Sequence, residues 1–441
     1  FISLGCDKNL ADSEEMLGLL TGSGHEIVDS EEDADAIVIN TCCFIHDAKE
    51  ESVNTILEMA EYKKTGKCKA LIVTGCMAQR YKEEITQEIP EVDAVLGTTS
   101  YGDIVKALNE AQAGHVFQEF RDINELPEDS GRRVLTTGGH FGYLKIAEGC
   151  DKHCTYCIIP SLRGKFRSVP EERLLAQAEY MASQGVKELI LVAQETTVYG
   201  TDLYGKKTLH ILLKKLCQIK GIRWIRVLYC YPEEIYDELI QVMKEEKKIC
   251  NYLDLPIQHA SDRILKRMGR RTTRKQLEDI IAKLRREIPD IVLRTSLITG
   301  FPGETQEDHE ELMEFVDEIE FDRLGVFTYS PEEGTPAETM EGQVPEEVKE
   351  ERRDELMSLQ QEISLEKGDE RIGQELLVMI EGKVADEPAY VGRTYMDAPN
   401  VDGLIFVNAD EMLMSGDFVR VKVTGANEYD LIGEVYHESA E

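Results

Sequence analysis

Over the first hundred residues, short apolar runs alternate with longer stretches whose apolar positions recur every three to four residues. Phe1 to Leu4, Ala36 to Asn40, Ala70 to Thr74 and Ala94 to Leu96 read as strands, with helices between them, as in Ser13 to Thr21 and Asp47 to Tyr62. Strands alternating with helices imply right-handed crossovers and a parallel sheet covered on both faces. A Rossmann-like α/β unit is therefore expected over residues 1–125. The polar run Glu119 to Arg133, with Pro127, Asp129 and Gly131, reads as a linker.

A second alternating series follows, with strands expected at Tyr143 to Ala147, Leu189 to Val192, Arg223 to Leu228, Tyr252 to Leu255, Val292 to Ile298 and Leu324 to Thr328. Six strand-helix units predict a partial (β/α)6 barrel of the TIM type over residues 134–368. Its last helix is the charged run from Pro345 to Lys367, with Gly368 as the stop. The period then changes. Leu376 to Ile380, Tyr390 to Arg393, Leu404 to Val407, Phe418 to Val423 and Leu431 to Tyr436 are separated by Gly, Asp and Asn, which predicts a small antiparallel β-barrel over residues 369–441. The chain reads as a multi-domain α/β protein with a terminal β-barrel.

With 42% hydrophobic and 31% charged residues the sequence has a globular composition. It holds no uninterrupted apolar stretch of about 18 residues and no signal-peptide pattern at its start, so no membrane partner is expected and the cytoplasm is the expected location. Phe1 falls within an apparent strand and there is no initial Met, so a few upstream residues are expected. Asp and Glu outnumber Lys and Arg by 85 to 50, a formal charge of -35. Such a field repels polyphosphate and suits basic partners. Taken alone, it is equally what solubility requires.

Eleven cysteines, an odd number in a chain expected in a reducing compartment, point to metal binding or catalysis rather than disulfides. Cys150, Cys154 and Cys157 follow a predicted strand with Cys-x3-Cys-x2-Cys spacing. Three local thiolates on a four-iron cluster leave one iron free. That iron can chelate the amino and carboxylate groups of S-adenosylmethionine and pass an electron to its sulfonium, yielding a deoxyadenosyl radical. A closed zinc site with His153 as fourth ligand is the alternative. Cys6, Cys42 and Cys76 each lie just past a predicted strand, and in a parallel sheet such positions share one edge, where α/β folds place ligands. They read either as a second cluster site or as three unrelated buried cysteines. Cys43, Cys68, Cys217, Cys230 and Cys250 lack ligand-like spacing and read as small buried side chains.

The strings that carry these cysteines resemble a known family. The loop from Glu148 to Cys157 looks like that of radical S-adenosylmethionine enzymes. Gly5-Cys6-Asp7-Lys8-Asn9, Asn40-Thr41-Cys42 and Gly75-Cys76-Met77-Ala78-Gln79-Arg80 resemble the N-terminal domain of methylthiotransferases. The likeness extends over nearly the whole chain: methylthiotransferase domain, radical barrel and terminal TRAM barrel. It implies two [4Fe–4S] clusters, the auxiliary one on Cys6, Cys42 and Cys76 carrying the sulfur to be inserted. It also implies two uses of S-adenosylmethionine, as methyl donor and as radical source. Tyr156 is implied to abut the adenine.

Val192 to Thr197 and Asp254 to His259 end strands, so Gln194, Glu195 and Gln258 are expected at the barrel mouth, where barrel enzymes place their chemistry. By resemblance they cradle the cofactor, with Arg226 a further candidate for its polar end unless it serves a salt bridge. Gly300 to Thr305 resembles a family turn, but a strand-to-helix turn capped by Thr305 explains it as well. Arg163 and Arg167 could hold an acidic substrate group or lie solvated, and His259 could serve only its turn.

Within the family, Leu191 to Thr197, Asp254 to Asp262 and Tyr395 to Gly403 resemble the branch that methylthiolates an aspartate of small-subunit ribosomal protein 12. Glu195 departs from the Asp expected there. The rival branch modifies tRNA and would need a terminal barrel that engages a polyanion. From Glu370 onward, by contrast, acidic residues number about 15 and basic ones about 5. Phosphate binding draws on Lys and Arg, whereas an acidic barrel complements a basic protein, so tRNA is disfavoured. A low-potential donor such as flavodoxin or ferredoxin is the implied electron source. A non-catalytic ribosome-binding protein stapled by metal is the alternative of a different class.

Overall fold

The computed structural model describes residues 1–128 and 131–436. Five parallel strands form the first sheet in sequence order: β1 (Ile2–Ser3), β2 (Ala36–Thr41), β3 (Ala70–Gly75), β4 (Ala94–Leu96) and β5 (Phe117–Glu119). β2 and β3 are nearly continuous apolar runs because both faces of a parallel sheet are buried. Alternate residues serve opposite cores: Ile37, Ile39, Leu71 and Val73 on one face, Val38, Ala70 and Ile72 on the other. β5 is not evident in the sequence. Its three residues are only half-buried at a sheet edge and carry no apolar run. Of the expected linker, Asp129 lies outside the described residues.

A second parallel sheet runs in the order β13-β12-β11-β10-β9-β6. Its strands are β6 (Phe141–Lys145), β9 (Glu188–Val192), β10 (Trp224–Val227), β11 (Ile249–Asp254), β12 (Val292–Thr299) and β13 (Arg323–Thr328). This is the expected six-unit partial barrel. Where one strand was expected to continue to Ala147, the chain instead leaves the sheet. It forms a two-stranded antiparallel ribbon, β7 (Ala147–Glu148) with β8 (Arg167–Ser168), that frames the Cys150–Cys157 loop. Leu144, Leu189, Leu191, Ile225, Val227, Leu253 and Leu293 pack against the outer helices. Tyr143, Ile190, Trp224, Tyr252 and Val292 face the other way, into a core shared with the terminal barrel.

The long charged helix spans Glu346–Asp369, so Gly368 is not its stop but part of its last turn. A Cβ at Gly368 would stand 3.0 Å from the Ala426 Cβ, so the residue permits close contact with the terminal barrel.

That barrel is closed, in the order β14-β15-β16-β18-β17, with β14 (Glu375–Lys383), β15 (Ala389–Arg393), β16 (Ile405–Asn408), β17 (Phe418–Ala426) and β18 (Leu431–Val435). The expected antiparallel barrel is present with one exception, the parallel pair β16 and β18, Ile405 opposite Leu431. A closed ring with an odd number of strands cannot alternate direction all the way round. Among the described residues no helix is long and apolar enough to cross a membrane.

Candidate cluster and cofactor sites

Cys6, exposed, and Cys42 and Cys76, buried, gather at the carboxyl edge of β1, β2 and β3, near enough for their thiols to act on one another electrostatically. Cys6 immediately precedes the helix Asp7–Gly22, Cys42 follows β2, and Cys76 opens the helix Cys76–Glu88. Gly5 adopts φ +84°, and a Cβ there would come 2.7 Å from the Cys42 Cβ and 2.9 Å from its Sγ, so only glycine lets these two loops touch. Asn9, fully buried, ties the three loops together. Its Nδ2 donates to Leu4 O at 3.1 Å and Thr41 O at 2.9 Å, and its Oδ1 lies 4.0 Å from the Cys76 Sγ. Burial, reinforced by the neighbouring Cys76, pushes the Cys42 thiol up to about 11. Iron would instead hold these sulfurs as thiolates.

The second set lies on the loop after β7. Gly149 adopts φ +79° with the Lys165 carbonyl where a Cβ would be, at 2.1 Å, and Cys150 N donates to Gly164 O at 3.1 Å. Lys152 N donates to the Cys150 Sγ at 3.4 Å, and the Tyr231 hydroxyl stands 3.6 Å from the Cys154 Sγ. Burial pushes Cys150 up to about 11 and Cys157 to about 12. His153 is exposed, whereas Cys150 and Cys154 are buried and Cys157 half-buried, which weighs against a closed zinc site. Among the described residues no three His, Cys, Asp or Glu side chains stand close enough to share one metal ion. A four-iron cluster takes its thiolates one per iron and does not need them that close.

Around this loop lie the other expected contacts. The Tyr156 ring packs edge-on against Phe301 at 6.3 Å between centroids, which joins the cysteine loop to the Gly300–Thr305 turn. Gln194 donates to Glu148 Oε1 at 2.8 Å, while its own Oε1 is buried without a partner among the described residues. Glu195, 1% exposed, accepts from Thr197 N at 2.9 Å and from the Thr197 hydroxyl through one oxygen, and the other has no partner among the described residues. Burial, opposed by the Thr197 hydrogen bonds and Lys152, pushes its carboxyl up to about 7. Two orphaned acceptors beside the cysteine loop require a donor, which the ammonium of an amino acid cofactor would supply. Gln258, at φ +71°, donates its N–H to Ser296 O at 2.9 Å and accepts from Ile298 N at 2.8 Å, so its half-buried side chain is held at the carboxyl ends of β11 and β12.

Arg226 does not join them. Fully buried, its guanidinium donates to Glu188 at 2.8 Å and to Tyr395 O at 2.7 Å, against the terminal barrel. The expectation that it contacts the cofactor is corrected, because its strand position aims it at the base of the concave face. Thr305 caps the helix Gln306–Ile319 in a reciprocal box with Asp308. His259 is buried facing Glu304 and accepts from Ser261 N at 3.0 Å. Arg167 turns back on the carbonyl oxygens of Arg163 and Lys165. Arg163 is not solvated. It is 2% exposed and lies between the two cysteine sets. Asn9, Glu148 and Tyr231 were missed as site residues. Asn9 and Glu148 stand inside the strings that carry the cysteines, but nothing local marks which neighbour of a ligand turns inward.

Residues 1–97 match the model described as uncharacterized protein family UPF0004, residues 144–316 the radical SAM superfamily and residues 372–435 the TRAM domain. In fold the chain is similar to the radical S-adenosylmethionine methyltransferase TsrM from Kitasatospora setae, with a TM-score of 0.52 at 12% identity over 86% of this chain and 76% of that one. Among curated proteins, the ribosomal protein uS12 methylthiotransferase RimO of Lachnoclostridium phytofermentans is 64% identical over 98% of each chain. Those of Clostridium botulinum and Acetivibrio thermocellus are each 51% identical, over 99% and 100% of this chain and 98% of their own lengths. With identity of this order running the length of all three units, the chain belongs to the RimO family of radical S-adenosylmethionine methylthiotransferases.

Proposed function

We propose that this protein inserts a methylthio group at the β-carbon of an aspartate in ribosomal protein uS12, free or on the assembling ribosome, in the cytoplasm. Cys150, Cys154 and Cys157 hold the radical-generating [4Fe–4S] cluster, and Tyr156, Gln194, Glu195 and Gln258 surround S-adenosylmethionine. Cys6, Cys42 and Cys76 hold an auxiliary [4Fe–4S] cluster. The functional units divide at residues 1–125, 134–368 and 369–441. One observation carries the reading: a buried chain of side chains runs from the Cys76 thiol through Asn9 and Arg163 to Glu148, two residues before Cys150, so the two sets of three cysteines lie on either side of one network.

When bound, the clusters would relay the donor's electron and carry the sulfur, and S-adenosylmethionine would supply both the methyl group and the hydrogen-abstracting radical. The chain's own groups position them. Gly5 and Gly149 let the thiol loops close, and Phe301 fixes the Tyr156 ring. Gln194 and Glu195 offer acceptors to a cationic amino group. The terminal barrel covers the base of the concave face and excludes water there. Its exposed Asp386, Glu387, Asp410, Glu411, Glu428 and Glu434 complement a basic protein substrate, and a flavodoxin or ferredoxin serves as electron donor.

Anaerobically reconstituted protein, incubated with uS12, S-adenosylmethionine and a low-potential reductant, is expected to add the mass of one methylthio group to one aspartate of uS12 and nothing to tRNA. Modification of tRNA instead would move the chain to the rival substrate class. Zinc, or about four irons in place of about eight, would overturn the two-cluster enzyme.

A further inference from the structure

Arg163 ends the helix Ile159–Arg163, six residues beyond the last cysteine of the radical loop, yet its side chain crosses to the helix Asp7–Gly22 of the first unit. Its Nη1 donates to Asp12 Oδ2 at 2.9 Å and Glu148 Oε2 at 3.2 Å, and its Nη2 to Asn9 Oδ1 at 2.5 Å. The same Asn9 oxygen lies 4.0 Å from the Cys76 Sγ, and that thiol faces the guanidinium. Lys145 reaches both Asp12 and Glu148, and the second Glu148 oxygen receives Gln194 from the radical site. Each of these side chains except Gln194 is at least nine-tenths buried. The Lys145 and Arg163 cations face the Asp12 and Glu148 carboxylates, with buried Glu15 nearby, so the net negative charge of a [4Fe–4S] core on three thiolates finds its cations in Arg163 and Lys8. Lys8, whose ammonium lies 3.4 Å from the Tyr229 ring centroid, is the buried cation on the Cys6 side, and Arg163 the one on the Cys76 side.

We propose that Arg163 is a positioning residue that couples the two clusters. It holds the auxiliary site at a fixed span from the radical site through Asn9 and Glu148, and sets its charge through Cys76. The inference rests on the two-cluster reading above. Donors and cations beside a cluster's sulfurs are among the main determinants of its potential, and a buried cation favours the reduced form. The span matters because a substrate radical formed beside one cluster must be met by sulfur on the other, and a misplacement of about 1 Å can cost about a hundredfold in rate.

The test compares Arg163→Met and Arg163→Lys with the unsubstituted protein by EPR-monitored redox titration, alongside the ratio of methylthiolated product to deoxyadenosine released. Iron is counted first. About four irons in the unsubstituted protein would defeat the two-cluster reading itself, so that failure is separable from failure of this proposal. In Arg163→Met the auxiliary potential is expected to fall while the radical cluster's potential holds. The product ratio should drop about tenfold or more as S-adenosylmethionine cleavage uncouples from sulfur insertion. Arg163→Lys restores the charge but not the fork of contacts, so it should recover the potential more fully than the ratio. An unchanged auxiliary potential in Arg163→Met, or an equal shift at both clusters, overturns the proposal. If Arg163→Met takes up only one cluster, the Lys variant decides: an auxiliary potential near that of the unsubstituted protein with a lowered product ratio supports the proposal, and an unchanged ratio overturns it.

Discussion

One amide serves four groups at Asn9: the carbonyls of Leu4 and Thr41, the Arg163 guanidinium and the Cys76 thiol. Asn9→Ala strands the buried Thr41 carbonyl and the half-buried Leu4 carbonyl and removes an acceptor from a buried cation, at about 1–3 kcal/mol per buried unsatisfied group. Thermal unfolding of the metal-free protein should show a loss of about 2–4 kcal/mol, and an unchanged midpoint would refute the linking role. Asn9→Asp keeps the acceptor for Arg163 but sets a carboxylate oxygen against two carbonyls, so it should destabilise no less. The cysteines separate by readout. Cys154→Ala is expected to abolish deoxyadenosine formation and lower bound iron by about half, whereas Cys76→Ala should lose the methylthio product and retain deoxyadenosine. Retained product in Cys76→Ala would remove the auxiliary role. The six cysteines stood out in the sequence as candidate ligands because their spacing and their places after strands are there to be read. Arg226 and Arg163 did not stand out in their roles, since a sequence does not say which buried carboxylate an arginine meets. One joins the central and terminal barrels, and the other joins Asn9 and Asp12 of the first unit to Glu148 of the second.

Elements were legible wherever burial was two-sided. β2, β3 and β9 announce themselves as apolar runs, whereas β5, half-buried at an edge, does not. The parallel pair in the terminal barrel follows from five strands and closure rather than from any residue pattern, so strand content could be read without pairing direction. The Gly300–Thr305 turn left two meanings open in the sequence, a ligand cradle and a capped turn. The reciprocal box between Thr305 and Asp308 accounts for its last residue in structural terms. Thr305→Ala should therefore cost about 1 kcal/mol in unfolding free energy and leave the affinity for S-adenosylmethionine unchanged. A substantial loss of cofactor affinity in that variant would restore the turn to the binding site.

At the scale of the molecule, the terminal barrel is fastened to the central one by charge. Glu188 pairs with Arg226 at 2.8 Å and Arg393 at 2.7 Å, and Arg393 continues to Glu381 at 2.6 Å, which meets His140. Burial pushes the Glu188 carboxyl up, but Arg393 and Arg226 outweigh it and hold it below its usual value. Its contribution to stability is thus complete above the ordinary carboxylate range and is lost as pH falls below it. Glu188→Gln leaves two buried guanidinium groups short of an anion and should cost about 3–5 kcal/mol at neutral pH, read as a lowered unfolding midpoint. Asp397 and Asp402 are likewise taken up by Arg323 and Arg294, so the acidity available to a partner lies elsewhere. β15 and β16 are antiparallel with Ala389 opposite Asn408, which sets Asp386 and Glu387 beside Asp410 and Glu411 at one end of the barrel, close in sequence to the exposed Met412 and Met414. That end lies away from the mouth, since Gly416 packs on His140 ahead of the first barrel strand. A basic substrate steered there is recruited without touching the chemistry. Replacing the four carboxylates with their amides should raise the KM for uS12 by about tenfold at low salt, the lower end of what electrostatic steering supplies, with kcat unchanged. The difference should shrink toward 1 M salt, where the screening length falls to about 3 Å. A KM effect that survives high salt, or a fall in kcat, would mean that these residues shape the site rather than attract the substrate.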